Sequence, residues 1–290
     1  MVKVAIIGAS GFVGGAVRRN APAGSHLTLV TRTPIHSHQN QVWRPATLDD
    51  PESLTAALRG AEVVFHCASY VGSDHDLCTV VNDAGTRNIS QAFQKSGARL
   101  LIYVSASGVY GRGPHRGAGE NTELAPLSAA SASRMNAEQH IIAANGTVVR
   151  PHLLYGVGDR WVVPQLRVLA HSRDARLRTS HALTLILSVD DLAAQLWAVA
   201  TQSVHEGPNI YNADHGDPQP ITAIAELCAV SLPESQHILG ANASELTVHQ
   251  VTMLTEDSWL SSALSGKLTY VPPRAFALSQ GMVRWYSGQV

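Results

Sequence analysis

Along the first half of the chain, short runs of valine, isoleucine and leucine recur, separated by stretches in which apolar residues return every three or four positions. The runs predict strands over 2–7, 26–31, 62–66, 99–105 and 146–150. Between them, "PESLTAALRG" (51–60) predicts a helix opened by proline and closed by glycine, and "VNDAGTRNISQAFQKSG" (81–97) predicts another. Strands alternating with helices predict a parallel sheet with crossover helices. After Arg150 the alternation becomes irregular, and 156–182 and 215–275 read as a smaller lobe. The predicted architecture is an α/β Rossmann fold, a doubly wound parallel sheet with a small interleaved C-terminal lobe. One domain spans 1–290: residues 1–155 are mainly dinucleotide-binding, and 156–290 are mainly a substrate lobe with returning Rossmann elements.

The junction of the first strand and the helix after it carries "GASGFVG", residues 8–14. Glycines at this spacing permit a tight turn (Gly8), close approach to a pyrophosphate (Gly11) and close helix packing (Gly14), and the helix N-terminus favours the phosphate charge. The expected phosphate ligands are the N–H groups of Gly11, Phe12 and Val13 with the Ser10 hydroxyl. The second strand ends in "LVTRTP", where an acidic residue would accept hydrogen bonds from a ribose 2′-OH and an arginine would meet a 2′-phosphate. Arg32 stands there with no carboxylate beside it, so NADP(H) is favoured over NAD(H).

Composition narrows the remaining classes. The 290 residues carry a formal net charge of −1, with 45% hydrophobic and 15% charged positions, so neither nucleic acid nor a membrane is indicated as a partner. "VKVAIIG" is too short for a transmembrane span and runs straight into the glycine turn. Cys67, Cys78 and Cys228 are widely spaced and form no C-x-x-C pair, which suits a reducing cytoplasm and suggests neither a disulfide framework nor zinc. The fourteen histidines contain no H-E-x-x-H arrangement, and no metal site is expected. Oligomeric state is not assigned.

"GASGFVGGAV", "ATLDDPESLTAALRGAEVVFHCAS", "NDAGTRNISQA", "YVSASGVYG", "VVRPHLLYG" and "LSVDDLAAQLWAV", in that order and spacing, resemble the extended short-chain dehydrogenase/reductases of the NAD-dependent epimerase/dehydratase family. The resemblance covers nearly the whole chain. It implies that Leu48 lies beside the adenine, Ala68 and Ser69 beside the cofactor ribose and nicotinamide, and Pro151 against the nicotinamide ring. Thr47 stands where the family commonly has an aspartate.

The departures concern chemistry. Anchored on Glu138, the family's Tyr-x-x-x-Lys falls on Ala130 and Arg134, and its Ser or Thr before "VYG" falls on Ala106, flanked by Ser105 and Ser107. The tyrosine normally passes a proton to the developing alkoxide, a general-acid role worth about 10² to 10⁴ in rate. Arg134 is expected to hold ribose hydroxyls; Ser105 and Ser107 to polarise a carbonyl; His152 either to donate a proton as an imidazolium or to pack as a neutral ring. A third proton source is a phenol on the substrate. The missing tyrosine and the "SAASASR" stretch are similar to the atypical angucyclinone ketoreductase type of simocyclinone antibiotic biosynthesis. That resemblance implies NAD(P)H-dependent reduction of a ring ketone on a small-molecule aromatic polyketide, with Tyr70, Tyr155, Trp161 and Val162 as candidate substrate contacts. The competing class is a catalytically inactive NADP(H)-binding sensor or scaffold.

Overall fold

The computed structural model describes residues 2–171, 174, 177, 179–202, 209–213, 217–232, 248–263 and 276–288. Its main sheet has seven strands: β1 Lys3–Ile7, β2 His26–Thr31, β3 Gln41–Pro45, β4 Val63–His66, β5 Leu100–Val104, β6 Thr147–Pro151 and β7 Asn209–Ala213. They lie in the order β7-β6-β5-β4-β1-β2-β3, and every neighbouring pair is parallel. The five predicted strands are β1, β2, β4, β5 and β6. β3 and β7 were not predicted: β3 is an edge strand with mixed exposure, and β7 lies beyond the point where the alternation fails.

Side-chain alternation divides the core into two halves. Val4, Ile6, Leu29, Phe65 and Ile102 face α1 (Phe12–Arg19) and a helix over Val189–Thr201, where Trp197 meets the Phe65 ring at 5.1 Å and its indole N–H donates to the Val17 carbonyl. Ala5, Ile7, Val30, Val64 and Leu101 face α2 (Pro51–Leu58), α3 (Gly85–Ser96) and α4 (Ala129–Ala143). α2 begins as its sequence predicts: the Asp50 carboxylate accepts from the Glu52 and Ser53 N–H groups, and Pro51 opens the helix where no N–H is needed. α3 starts later than predicted, because Cys78–Ala84 winds as a π-helix before it.

A third cluster forms the lobe. It packs Val163, Leu166, Ile224, Cys228 and Leu254 among others, from helices over Val162–His171, Ile221–Ser231 and Val248–Thr255, together with Phe276. The strand Ser258–Leu260 returns from the lobe to pair with His115–Ala118, beyond the end of β5. The sheet order reverses between β1 and β4, and ligands of such sheets bind outside the carboxyl ends of the strands at this point. Among the described residues no helix is long and apolar enough to cross a membrane, and no group of three or more histidine, cysteine or acidic side chains is placed to hold a metal.

Candidate active site

At the carboxyl end of β1 the chain turns on Gly8, whose φ of +81° suits glycine and whose added Cβ would lie 2.7 Å from the Ala68 nitrogen. A Cβ on Gly14 would lie 2.2 Å from the Gly8 carbonyl oxygen. Glycine is therefore needed at both positions for the turn, α1 and the strand β4 exit to close together. Gly11 caps α1 with no side-chain hydrogen bond, and no acidic residue stands in the first turn. The Gly11 N–H, expected at a phosphate, instead donates to the Gly8 carbonyl at 2.9 Å and braces the turn. Phe12 and Val13, at the start of the helix, have N–H groups with no intrahelical acceptor, and Ser10 is exposed beside them. The Phe12 ring supports Gly158, where a Cβ would come within 2.9 Å of it. A glycine cradle, an anion-favouring helix start and the absence of a competing carboxylate fit a dinucleotide pyrophosphate. Arg32 is exposed just past the end of β2, and Leu48 is half-buried, its carbonyl accepting from Asn88 Nδ2 at 2.8 Å.

After β4, Ser69 and Tyr70 are held by a residue to which the sequence assigned no role. The buried Asn82, in the π-helical segment, accepts from the Tyr70 N–H (2.8 Å) and donates to the Tyr70 carbonyl (3.0 Å) and to Ser133 Oγ (2.9 Å). Ser69 Oγ donates to Asn82 Oδ1 at 3.2 Å and accepts from Arg134 Nη2 at 2.6 Å. "VNDAGTRN" carries an asparagine among helix-forming positions, where a polar amide that competes with helical hydrogen bonds was the available signal. Beneath this network, His66 pairs through Nε2 with the Thr86 hydroxyl at 2.9 Å and lies 4.8 Å from the Tyr103 ring. Burial pulls the His66 imidazole down to about 3 and pushes the Tyr103 phenol well above its ordinary range.

At the ends of β5 and β6 the expected hydroxyls take different paths. Ser105 is buried and donates to Glu138 Oε1 at 2.5 Å. The same carboxylate receives Arg150 in a two-point contact, Nε at 3.0 Å and Nη2 at 2.6 Å, while Arg150 Nη1 reaches the Tyr110 hydroxyl at 2.9 Å. Tyr110 in turn donates to Asn212 at 2.7 Å. This corrects the carbonyl-polarising role expected of Ser105: its proton is committed to a buried ion pair that joins α4, β5, β6 and β7. Ser107 is half-buried, and its Oγ meets His152 Nδ1 at 2.8 Å. Burial, aided by the nearness of His115 and opposed by the Ser258 backbone, draws His152 down to about 4. His152 is therefore a neutral ring at pH 7, which corrects the imidazolium alternative; the packed one describes it. Ala130 contributes a methyl group at the tyrosine position. Gly108 lets α4 approach β5, since a Cβ there would lie 2.6 Å from Ser131 Oγ.

The expected substrate contacts separate. Tyr155 belongs to the lobe core: it is buried, its ring centroid lies 4.6 Å from that of Phe276, and its hydroxyl donates to the Ala277 carbonyl at 3.2 Å. That corrects its assignment as a substrate contact, because both its face and its polar tip are occupied. Trp161 is 61% exposed at the start of the Val162–His171 helix, where Val162 is half-buried, and Tyr70 is half-buried beside Ser69. Pro151 is buried at the end of β6, one residue before His152.

Sequence and structure comparisons agree with this fold. Residues 4–213 match the model of the NAD dependent epimerase/dehydratase family. The 2-alkyl-3-oxoalkanoate reductase of Stenotrophomonas maltophilia is 26% identical across 99% of this chain and 91% of its own. The ceramide reductase of Caulobacter vibrioides is 30% identical over 67% of this chain and 60% of its own. Among solved structures, the dTDP-glucose 4,6-dehydratase of Streptomyces venezuelae, with NAD bound, superposes with a TM-score of 0.76 at 18% identity, covering 99% of this chain and 98% of that one. The family model spans β1 to β7, so the glycine turn, the Asn82 network, Ala130 and Arg134 all fall inside it: the chain belongs to the NAD dependent epimerase/dehydratase family.

Proposed function

We propose that the protein is an NADP(H)-dependent ketoreductase that reduces a ring ketone of an aromatic polyketide of the angucyclinone type, in antibiotic biosynthesis, and takes the proton from a phenol on the substrate itself. One observation carries this reading: the wall that holds the acid elsewhere in the family offers none here. Ala130 has no proton to give, Ser105 is bonded to Glu138, His152 is neutral and Tyr103 is sealed in the core. Reduction is supported by the reductases among the relatives, and the exposed Arg32 supports NADP(H) over NAD(H).

The nicotinamide, when bound, supplies the hydride. Phe12, Val13 and Ser10 would hold its pyrophosphate, Leu48 would lie by the adenine, and Ala68, Ser69 and Pro151 would border the reactive ring. Holding a ketone in line in a dry cleft is worth about 7 to 11 kcal/mol of barrier. Ser107 would bond the ligand oxygen, and Tyr70 and Trp161 would offer flat apolar faces to a polycyclic ligand.

The test compares a polycyclic hydroxyketone with its methyl ether in single-turnover NADPH oxidation, where binding and chemistry separate. The ether is expected to react about 10² to 10⁴ times more slowly. Equal rates would refute substrate protonation. Tight NADPH binding with no ketone reduced across a panel of hydroxyquinones and simple ketones would instead favour the inactive sensor.

A further inference from the structure

Two arginines flank Glu138, and among the described residues only Arg150 is ion-paired. Arg150 takes both carboxylate oxygens of Glu138, one of which also accepts from Ser105. Arg134 stands one helical turn before Glu138 on α4, yet its side-chain neighbours are neutral: the Ser69 hydroxyl, 2.6 Å from Nη2, and the buried Tyr103 phenol. Its Nε is buried and has no hydrogen-bond acceptor among the described residues. Asp83 is occupied by His140 at 2.7 Å and by Asn136 at 3.3 Å, Tyr103 and Ser69 are uncharged, and His152 is neutral. A half-buried guanidinium with a sealed, unsatisfied N–H carries a desolvation cost that an anionic oxygen would offset.

The dinucleotide has no anion to offer here. Its phosphates belong at the Gly8–Val13 turn, and its ribose hydroxyls are neutral. The proposed reaction, however, creates an anion. Hydride from the reduced nicotinamide adds to the carbonyl carbon, the C=O pair moves to oxygen, and that oxygen takes the proton of the neighbouring phenol. The phenol oxygen keeps the O–H electron pair and leaves as phenolate, to be reprotonated by solvent after release.

We propose that Arg134 holds this ionised phenol oxygen: the substrate class is a ketone bearing an acidic hydroxyl next to the reacting carbonyl, and the change of Lys to Arg compensates the change of Tyr to Ala. The inference rests on the ketoreductase reading above. A guanidinium keeps its charge at every working pH and presents a planar fork, so it favours loss of the phenol proton without competing to supply one.

The test needs no turnover. The protein in complex with NADP⁺ binds 1,8-dihydroxyanthraquinone as a probe, and the visible absorbance that marks phenol ionisation is followed against pH. In the wild-type complex the bound phenol should ionise about one to three pH units lower than in Arg134→Met, with Arg134→Lys between them. Arg134→Met should hold NADP⁺ within about threefold, which also reports that it is folded. Identical midpoints in the wild type and Arg134→Met overturn the inference. So does a tenfold or greater loss of NADP⁺ affinity with an unmoved midpoint, which would make Arg134 a ribose holder. A midpoint that depends on Arg134 in a protein that reduces no ketone would fell the ketoreductase reading and leave the anion site standing. A rate loss on methylation with a midpoint indifferent to residue 134 would do the reverse. A probe that does not bind the wild-type complex counts against both.

Discussion

The two walls of the crevice are built from different materials. On the β1 side, the turn at Gly8–Gly14 works through main-chain atoms, and its side chains matter chiefly by being absent: a Cβ at Gly14 would overlap the Gly8 carbonyl. On the β5 side, α4 and the ends of β5 and β6 present side chains, and there the positions expected for the family's tyrosine and lysine hold Ala130 and Arg134. A backbone-built site tolerates almost no substitution because its geometry is the fold itself. A side-chain-built site can lose its chemistry while α4 stays in place, because Glu138 and Arg150 rather than the catalytic pair fix that helix.

The sharpest way to break this contrast is to remove the anchor. Glu138→Gln leaves the Arg150 cation buried without its partner, and should cost about 3 to 5 kcal/mol of stability in denaturant unfolding. A loss under 1 kcal/mol would mean that α4 is held by apolar packing alone. Next in size is Gly14→Ala. The new methyl group meets backbone and cannot be relieved by a rotamer change, so about 3 kcal/mol of stability and much of the NADP⁺ affinity should go together. If the variant binds NADP⁺ as the wild type does, the turn is more compliant than the close approach implies.

The smallest effect concerns acid. Burial holds the folded His66 at about 3, well below the ordinary 6.5. Above pH 6.5 both the folded and unfolded states leave it neutral, and its effect is constant. As pH falls from about 6.5 towards 3, the unfolded chain binds a proton that the folded one refuses, and stability declines. By pH 5 the decline is about 2 kcal/mol from this residue, and His152 acts in the same direction over the window from 6.5 to about 4. Melting temperature against pH should fall less steeply for His66→Phe than for the wild type. Parallel curves would assign the acid sensitivity elsewhere.

What the chain discloses in sequence follows the same division. The glycine turn, five strands and the start of α2 are local: φ > 0 at Gly8, the apolar run of β1 and the Asp50–Pro51 cap each arise within a few residues. Ala130 and Arg134 lie on the same helix as Glu138, at the spacing from which their positions were read. Three fates were not legible, because they depend on partners far away in the chain. Ser105 looked like its neighbour Ser107 until Glu138, 33 residues on, claimed its proton. Tyr155 looked available until Phe276 covered it. His152 had two possible charge states, and the burial that decides between them comes from the folded surroundings. β7 escaped notice for a related reason: it follows the irregular stretch and joins the sheet only through its pairing with β6.

The π-wound stretch at Cys78–Ala84 is the kind of feature a single inserted codon produces, since it accommodates one residue more per turn than an α-helix. Its effect is angular. It sets the azimuth at which Asn82 meets Ser69, Tyr70 and Ser133 while α3 keeps its own face on the sheet. Excising one residue there would leave composition and helix length almost untouched, yet would rotate everything upstream by roughly 100° relative to α3. The clasp on the β4 loop is thus a counting device, sensitive to the length of the chain at that point more than to the chemistry of most residues in it.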